Sequence, residues 1–434
     1  MRHGHIIING TIHMTILRLI FITACLLAAS GCVKLTIAWA DLKPKGVTAA
    51  PPILGNFGDR GTITTIDDWE TNRVPALREA LQEYVYGFLP ESQATTVISK
   101  KTLDEEAFEG LGILEEYKLI VSATFNGTTH ESRPFYMNVL RPRKNDTPSQ
   151  VILMQTFCPR AATIPHPSVT GSGESSCGNG GLMGGLASYI FGRYISTPPL
   201  TEILERGYTL ATIFPSEFVA DASQQGLSDL GALSKGYTEE DTRWGAIAAW
   251  GWGYSRMIDV LDTDPAFDQF ITYGHSRYGK AALVAAAFDE RIDGVISHQS
   301  GTGGASLNVQ KRGESVEEIT ESYPHWFSKK YASYAGREQE MPIDQHMLLA
   351  LVAPRPILLG NARRDVWSDP NGAFRAAIGA DAVYELYGKR GLDQDRLKPF
   401  DPSAELAFWI RPGTHGVVEE DWPAFFKFLG AHFK

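Results

Sequence analysis

The segment Gly-His-Ser-Arg-Tyr-Gly at residues 274–279 constrains the fold of this chain more than any other stretch. An apolar run at residues 270–273 predicts a short buried strand before it, and the alanine-rich residues 280–288 predict a helix after it. Gly-x-Ser-x-Gly between a strand and a helix is typical of a nucleophile elbow, a strained turn that exposes a serine hydroxyl above a sheet. We therefore predict that Ser276 is a nucleophile.

Strand-like and helix-like stretches alternate through the second half of the chain. Further buried strands are predicted at residues 151–157, 208–214, 294–297, 354–360 and 406–410, and helices at residues 242–261 and 422–428. Such alternation predicts a mainly parallel sheet covered by helices on both faces, a three-layer α/β sandwich.

The first part of the chain gives weaker signals. Residues 41–110 are interpreted as an N-terminal wrap with one helix at residues 69–86. The strand-like residues 117–125 and 134–140 flank Asn126-Gly127, which predicts a hairpin.

The N-terminus is predicted to be a targeting segment at residues 1–40, with Met14 as an alternative start. Arg18 precedes an apolar run at residues 19–29, which is too short to span a bilayer but suits a signal-peptide core. Cys32 follows this core in a lipobox-like Ala-Ser-Gly-Cys, which favours a lipoprotein, whereas Ala-Trp-Ala at residues 38–40 fits ordinary secretion. Both alternatives predict export, to the periplasm, to the outer membrane as a lipoprotein, or out of the cell.

Residues 41–434 are predicted to form a single catalytic domain with an insertion near residues 159–200. The part of this insertion at residues 159–185 is rich in Gly, Ser and Pro, and is either a functional loop near the site or a passive surface loop. Cys158 and Cys177 form a disulfide or remain two separate thiols, and they lack the further ligands of a zinc site. The formal charge of -10 argues against a nucleic-acid partner.

A serine nucleophile needs a base and an acid that orients the base, and an elbow fold supplies them in the order Ser, acid, His. Of the histidines after Ser276, only His415 directly follows the last predicted strand. Asp365 and Asp369 both follow the strand at residues 354–360, and we favour Asp365 because Asp369 precedes a proline and suits a helix start.

The segment Gly-His-Ser-Arg-Tyr-Gly-Lys resembles the Gly-Cys-Ser-Arg-x-Gly-Lys signature of the glucuronoyl esterases, carbohydrate esterase family 15. The chain also resembles bacterial members of this family from about residue 150 onward, at residues 244–256, 300–304, 323–327 and 365–367. The resemblance implies an α/β-hydrolase fold and cleavage of the ester between the glucuronate of xylan and lignin alcohols.

The resemblance also implies roles for individual residues. Arg277 matches the arginine beside the nucleophile, where a guanidinium can stabilise the tetrahedral oxyanion. Lys280, Glu314 and Trp367 match positions that contact the sugar.

Three departures from the fungal members are present. Gln299 occupies the position of the fungal acid, which strengthens Asp365 as the acid of this chain. His275 and Gly416 replace two fungal cysteines, so that disulfide is absent here. The insertion resembles those of bacterial members and leaves the preferred alcohol side open.

We therefore predict a serine esterase that acts on glucuronoyl esters through an acyl-enzyme, without metal or cofactor, as a monomer. Its expected partners are glucuronoxylan and lignin-carbohydrate esters, and its only expected membrane contact is a lipid anchor at Cys32. An esterase for acetyl-xylan or other carbohydrate esters and a non-catalytic glycan-binding lipoprotein are the alternatives.

Overall fold

One sheet of ten strands forms the centre of the computed structural model, which describes residues 50–144, 147–171, 191–235, 241–397 and 399–433. All of these residues belong to one unit of the chain, Lys45–Lys434. The predicted leader with Cys32, and most of the glycine-rich insertion with Cys177, lie outside the described residues.

The strands lie in the order β1-β2-β4-β6-β5-β7-β8-β9-β10, and β3 pairs with β2. Strands β6, β5, β7, β8, β9 and β10 are mutually parallel, whereas β1 to β4 join the sheet in antiparallel pairs. The bounds are β1 Ser92–Glu106, β2 Gly112–Phe125, β3 Thr128–Glu131, β4 Phe135–Pro142, β5 Ser149–Gln155, β6 Thr209–Ile213, β7 Phe267–His275, β8 Gly294–His298, β9 Ile357–Ala362 and β10 Leu406–Arg411.

The described helices of six residues or more are numbered in chain order. They are α1 Val74–Leu81, α2 Leu200–Glu205, α3 Ser223–Leu233, α4 Ala246–Leu261, α5 Arg277–Phe288, α6 Val316–Ser322, α7 Gln345–Ala350, α8 Pro370–Leu386 and α9 Asp421–His432. Shorter helical segments are Ile66–Asp68, Trp69–Arg73, Gln82–Tyr86, Ala107–Gly110, Arg160–Thr163, Pro215–Glu217, Lys329–Ala332 and Glu338–Glu340. Within the described ranges, no helix has both the length and the apolar character needed to cross a bilayer.

Helices pack on both faces of the sheet. Neighbouring residues of a strand point to opposite faces, so one strand contacts helices on both sides. In β7, Ile271 lies in a buried apolar cluster with Phe425 and Leu429 of α9. Its neighbour Thr272 points the other way, and its hydroxyl donates to the carbonyl of Ala282 in α5 at 3.3 Å. The predicted mainly parallel, three-layer architecture is confirmed.

Two features of the N-terminal half differ from the sequence predictions. Strand β1 was not predicted, because this edge strand is exposed along most of its length and shows no apolar alternation. The predicted hairpin at Asn126-Gly127 is present, but its second arm is split into β3 and β4 by residues 132–134, where Pro134 cannot donate a ladder hydrogen bond.

Candidate active site

The carboxyl ends of the parallel strands bring the predicted catalytic residues to one edge of the sheet. Ser276 follows β7, Gln299 follows β8, Asp365 lies on the loop after β9, and His415 lies on the loop after β10. In open α/β sheets this edge is where ligands bind. The structure therefore gathers residues that are 139 positions apart in the chain, from Ser276 to His415.

Ser276 occupies a strained turn between β7 and α5. Its φ of 55° and ψ of -122° lie outside the ordinary regions for a residue with a side chain. Its backbone N–H donates to the carbonyl of His298 at 2.8 Å. A Cβ at Gly274 would overlap the carbonyl oxygen of Tyr278, so the close passage of the backbone requires glycine there. These features are those of a nucleophile elbow.

His415 and Asp365 form a hydrogen-bonded pair. The Nδ1 of His415 lies 2.7 Å from Oδ2 of Asp365, whose side chain is buried. Burial alone would raise the pKa of Asp365, but the hydrogen bond from His415 and those from Ser368 outweigh it and hold the pKa below its usual value. An ionised Asp365 places the imidazole proton on Nδ1, which leaves Nε2 able to accept a proton.

The alternative acid, Asp369, has a different role. Its side chain accepts from the backbone N–H of Gly372 at 3.0 Å and from that of Arg312 at 3.2 Å. It is the N-cap of α8, and no described contact joins it to His415.

His415 lies beside the elbow. Its ring centroid is 4.6 Å from that of His275, the residue before Ser276. Among the described contacts, none joins the Ser276 hydroxyl directly to His415. The hydrogen bond between a nucleophile and its base is often long before substrate binds, so this geometry is compatible with a Ser–His–Asp triad.

Arg277, the residue after the nucleophile, is held by an ion pair that the sequence did not indicate. Its Nη1 donates to Oδ2 of Asp221, on the loop after β6. Asp221 also accepts from Nε1 of Trp326 at 2.9 Å and faces Nε2 of His325 at 3.2 Å. Burial would raise the pKa of Asp221, but the bond with His325 and the charge of Arg277 hold it below its usual value.

Aromatic rings surround the same guanidinium. The Cζ of Arg277 lies 5.0 Å from the ring centroid of Trp326, 5.5 Å from that of Phe157 and 5.8 Å from that of Tyr323. Among the described residues, the buried Nε of Arg277 has no hydrogen-bond partner. The ion pair and the surrounding rings thus fix the guanidinium in place beside the nucleophile.

Lys280 is buried, although a lysine one turn into a helix is ordinarily exposed. Its Nζ donates to the carbonyl of Ser300. Burial lowers the pKa of Lys280 to about 8, and the charge of Glu314 partly offsets this effect. Lys280 and Glu314 therefore interact electrostatically in a poorly hydrated place.

Glu314 and Trp367 lie together at the same edge. The backbone N–H of Glu314 donates to the carbonyl of Trp367 at 3.0 Å, and their side chains are also hydrogen-bonded. Burial raises the pKa of Glu314, and the charges of Lys280 and Lys311 oppose that rise. The side chain of Trp367 is more than half exposed. A charged pair beside an exposed indole can bind a polar ring that has one apolar face.

Gln299 links the site to the histidine loop. Its Oε1 accepts from the backbone N–H of Gly416 at 2.8 Å, and its Nε2 lies 3.2 Å from Nε2 of His298. The position that carries an acid in the fungal pattern is thus occupied here by an amide that supports the residue after His415.

A disulfide between positions 275 and 416 has no place in this fold. Gly416 has a φ of 146°, and a Cβ there would overlap the carbonyl oxygen of Phe191. Cys158 is disulfide-bonded, and its predicted partner Cys177 lies outside the described residues. In the described part of the chain, no group of His, Cys, Asp and Glu side chains is arranged to hold a metal ion.

A serine on a strained strand-to-helix turn, followed in chain order by an acid and a histidine, is typical of serine hydrolases of the α/β-hydrolase class. The sequence is 31% identical over 385 residues to the carbohydrate esterase MZ0003 of an unknown prokaryotic organism, and the match spans 86% of this chain and 87% of that protein. It also matches the family model described as "Glucuronyl esterase, fungi" over residues 199–388. The chain belongs to carbohydrate esterase family 15, the glucuronoyl esterases.

Solved structures of esterases of the same family also resemble this chain. The glucuronoyl esterase from Solibacter usitatus superposes with a TM-score of 0.73 at 30% identity, covering 89% of this chain and 98% of that one. A CE15 esterase from a marine bacterial metagenome, described as promiscuous, gives a TM-score of 0.73 at 28% identity, covering 91% and 99%. The predicted family and α/β-hydrolase fold are confirmed, and the protein is a carboxylic ester hydrolase.

The fungal enzymes match a shorter part of the chain. The 4-O-methyl-glucuronoyl methylesterase 1 of Wolfiporia cocos is 37% identical over 159 residues, which are 34% of this chain and 39% of that protein. The likeness to the fungal relative is thus partial, whereas the likeness to the bacterial ones is nearly complete.

Proposed function

We propose that this protein hydrolyses the ester between (4-O-methyl-)glucuronic acid of glucuronoxylan and lignin alcohols, with Ser276 as nucleophile and His415 as base. The observation that carries the proposal is the meeting of the Asp365–His415 pair, the Ser276 elbow and the buried Lys280 and Glu314 at one edge of the sheet. Membership in the glucuronoyl esterase family supports the same substrate class.

In the first half of the reaction, the Ser276 hydroxyl attacks the ester carbonyl while Nε2 of His415 takes its proton. Asp365 stabilises the imidazolium that forms. The negative charge that develops on the carbonyl oxygen is met by Arg277, through its guanidinium and its backbone N–H. His415 then returns the proton to the alcohol oxygen as the C–O bond breaks.

The second half releases the sugar acid. The glucuronoyl group is now an ester of Ser276, and His415 removes a proton from a water molecule that attacks the same carbonyl. The tetrahedral intermediate collapses, Ser276 regains its proton from His415, and glucuronate leaves. Lys280, Glu314 and Trp367 hold the sugar through both halves, which keeps the carbonyl at the nucleophile.

The experiment compares two substrates on the purified protein. Benzyl glucuronate should be hydrolysed with a much higher kcat/KM than an aryl acetate, because only the uronate can use the sugar contacts. Rapid cleavage of the acetate together with no cleavage of benzyl glucuronate would instead support an esterase for acetylated carbohydrates. Binding of glucuronoxylan without hydrolysis of either ester would support a non-catalytic glycan-binding protein.

We also propose that the enzyme is exported as a monomer and anchored through a lipid on Cys32. The support is the apolar run at residues 19–29 followed by Ala-Ser-Gly-Cys. In a bacterial host, the protein should fractionate with membranes and a Cys32→Ala variant should not. An equal distribution of both proteins in the soluble exported fraction would favour cleavage after Ala40.

A further inference from the structure

A second aspartate–histidine pair lies behind the catalytic one. The Nδ1 of His275 lies 3.0 Å from Nδ1 of His298, and Nε2 of His298 lies 3.4 Å from Oδ1 of Asp421. The three side chains are at most 3% exposed. Buried polar groups cost free energy unless they are paired, and among the described residues only Nε2 of His275 lacks a partner in this set.

At one end of these contacts, Asp421 binds residues of the loop that carries His415. Arg411 donates through Nε to both carboxylate oxygens of Asp421, at 2.8 and 3.0 Å. Asp421 also accepts from the backbone N–H of Val418 at 2.9 Å. The remaining donors of Arg411 go to three loop carbonyls, those of Pro412, Thr414 and Gly416.

At the other end, His275 belongs to the nucleophile elbow. It precedes Ser276, and its ring centroid lies 4.6 Å from that of His415. His298 is also tied to the elbow through its carbonyl, which accepts from the N–H of Ser276. These contacts therefore connect the segment that carries the nucleophile with the segment that carries the base.

We propose that His275, His298 and Asp421 form a buried bridge that sets the position of His415 relative to Ser276. The three are positioning residues, since none of them touches the reacting atoms. The inference rests on the esterase function proposed above and adds three residues to its machinery. A bridge of this kind matters because a displacement of about 1 Å between reacting groups can lower a rate by about 100-fold.

The protonation states fit this role. Burial lowers the pKa of His275 well below its usual value, and the nearby His415, His298, Arg411 and Arg277 add to that effect. Burial would raise the pKa of Asp421, but His298 and Arg411 keep it below its usual value, so Asp421 is a carboxylate. An uncharged His275 shares one proton with His298 between their Nδ1 atoms and does not repel the imidazolium of His415.

The first test uses two amides in place of His275. An asparagine amide lies near the place of the imidazole Nδ1, whereas a glutamine amide extends to that of Nε2. His275→Asn should therefore keep the link to His298 and retain kcat within about threefold, while His275→Gln should lower kcat by about tenfold or more. KM for benzyl glucuronate should stay unchanged in both, because Lys280, Glu314 and Trp367 are not affected.

The second test asks whether the residues act as one unit. His298→Gln keeps an amide near Asp421 and cuts the same link from the other side, so it should lower kcat as His275→Gln does. The double variant should then be no slower than either single variant, since a link can be broken only once. If His275→Gln does not fold, the comparison of His298→Gln with wild type still tests the link.

A readout without the sugar substrate separates this inference from the proposed function. A p-nitrophenyl phosphonate forms a bond between phosphorus and the serine oxygen and releases p-nitrophenolate, while His415 takes the serine proton. Inactivation should be nearly as fast in His275→Asn as in wild type and slower in His275→Gln and His298→Gln, whatever ester the enzyme prefers. Three outcomes would each contradict the proposed bridge. They are equal rates for the His275→Asn and His275→Gln variants, multiplicative losses in the double variant, and changes confined to KM.

Discussion

Arg277 and Asp221 form an ion pair at the candidate site, one on the nucleophile elbow and the other on the loop after β6. The pair leaves the guanidinium among three aromatic rings with its Nε unpaired among the described residues. Asp221 therefore orients the group that we assign to the oxyanion.

Loss of this orientation should reduce catalysis. We predict that Asp221→Asn lowers kcat by about 10-fold or more and that Arg277→Gln lowers it by about 10²-fold, because an oxyanion donor acts mainly in the transition state. Steady-state kinetics on benzyl glucuronate measure both. In the double variant, Asp221→Asn should add little, and a full additional loss would show that Asp221 acts independently of Arg277.

The acid that orients His415 can be identified by substituting each of two aspartates that lie four residues apart, Asp365 and Asp369. Asp365→Asn should lower kcat by about 10³-fold or more, since His415 would lose the acceptor that fixes its tautomer. Asp369→Asn is the matched control: it alters the N-cap of α8 and the acceptor of the Arg312 N–H, and should cost about 1–3 kcal/mol of stability with little change in kcat. The reverse ranking would assign the acid to Asp369.

Gln299 provides a second check on the same assignment. Gln299→Ala removes the acceptor of the Gly416 N–H but leaves the Asp365–His415 bond in place. It should therefore lower kcat less than Asp365→Ala does. A larger loss for Gln299→Ala, measured on the same substrate, would move the orienting role to the end of β8.

Sugar binding should weaken as pH rises through about 8, the pKa to which burial lowers Lys280. In the role we propose, the protonated amine donates to sugar hydroxyls and carries the charge that pairs with Glu314, and both are lost above this pH. We expect KM for benzyl glucuronate, corrected for spontaneous hydrolysis, to increase by about tenfold on deprotonation, in line with one charged hydrogen bond. In Lys280→Gln, KM should already be high and vary little over the same range.

The lowered pKa of Lys280 also affects the stability of the fold, which should increase with pH where sugar binding weakens. Because the folded-state pKa of Lys280 lies below its ordinary value of 10.5, the unfolded chain binds more protons between about pH 8 and 10.5. This group alone therefore makes the folded state more stable as pH rises through that window. Comparison of urea unfolding of wild type and Lys280→Gln at pH 8 and at pH 10 isolates the contribution.

Gly416 should resist substitution. Gly416→Ala should destabilise the fold by about 1–3 kcal/mol or more, because φ is 146° and the new Cβ would meet the carbonyl of Phe191. Gly430→Ala is the control: it lies in α9 with open space around it and should be neutral or stabilising by about 1 kcal/mol. Urea unfolding measures both free energies, and equal effects would contradict the close passage at Gly416.

Sequence patterns predicted the parallel half of the fold well, because strands buried on both faces are continuous apolar runs. They also placed Ser276, Asp365 and His415 on loops after strands, which the structure brings to one edge. Strand β1 escaped prediction because its pairing with β2 comes from backbone hydrogen bonds, and its exposed side chains leave no pattern.

Contacts between distant loops could not be predicted from the sequence. Asp221 follows a correctly predicted strand, but nothing in its local sequence shows that it meets Arg277. His275 was noted only as a departure from a cysteine, and its link through His298 to Asp421 depends on the register of three neighbouring elements. Such partners are decided by tertiary packing.

Hydrolysis of benzyl glucuronate by wild type and Ser276→Ala, compared at equal concentration, tests whether Ser276 is the nucleophile of a glucuronoyl esterase. We predict rapid benzyl alcohol release by the wild type and a loss of about 10⁴-fold or more in the variant, with the same thermal unfolding midpoint. Retained hydrolysis by Ser276→Ala would exclude Ser276 as the nucleophile, and no hydrolysis by a folded wild-type protein would exclude glucuronoyl esterase activity.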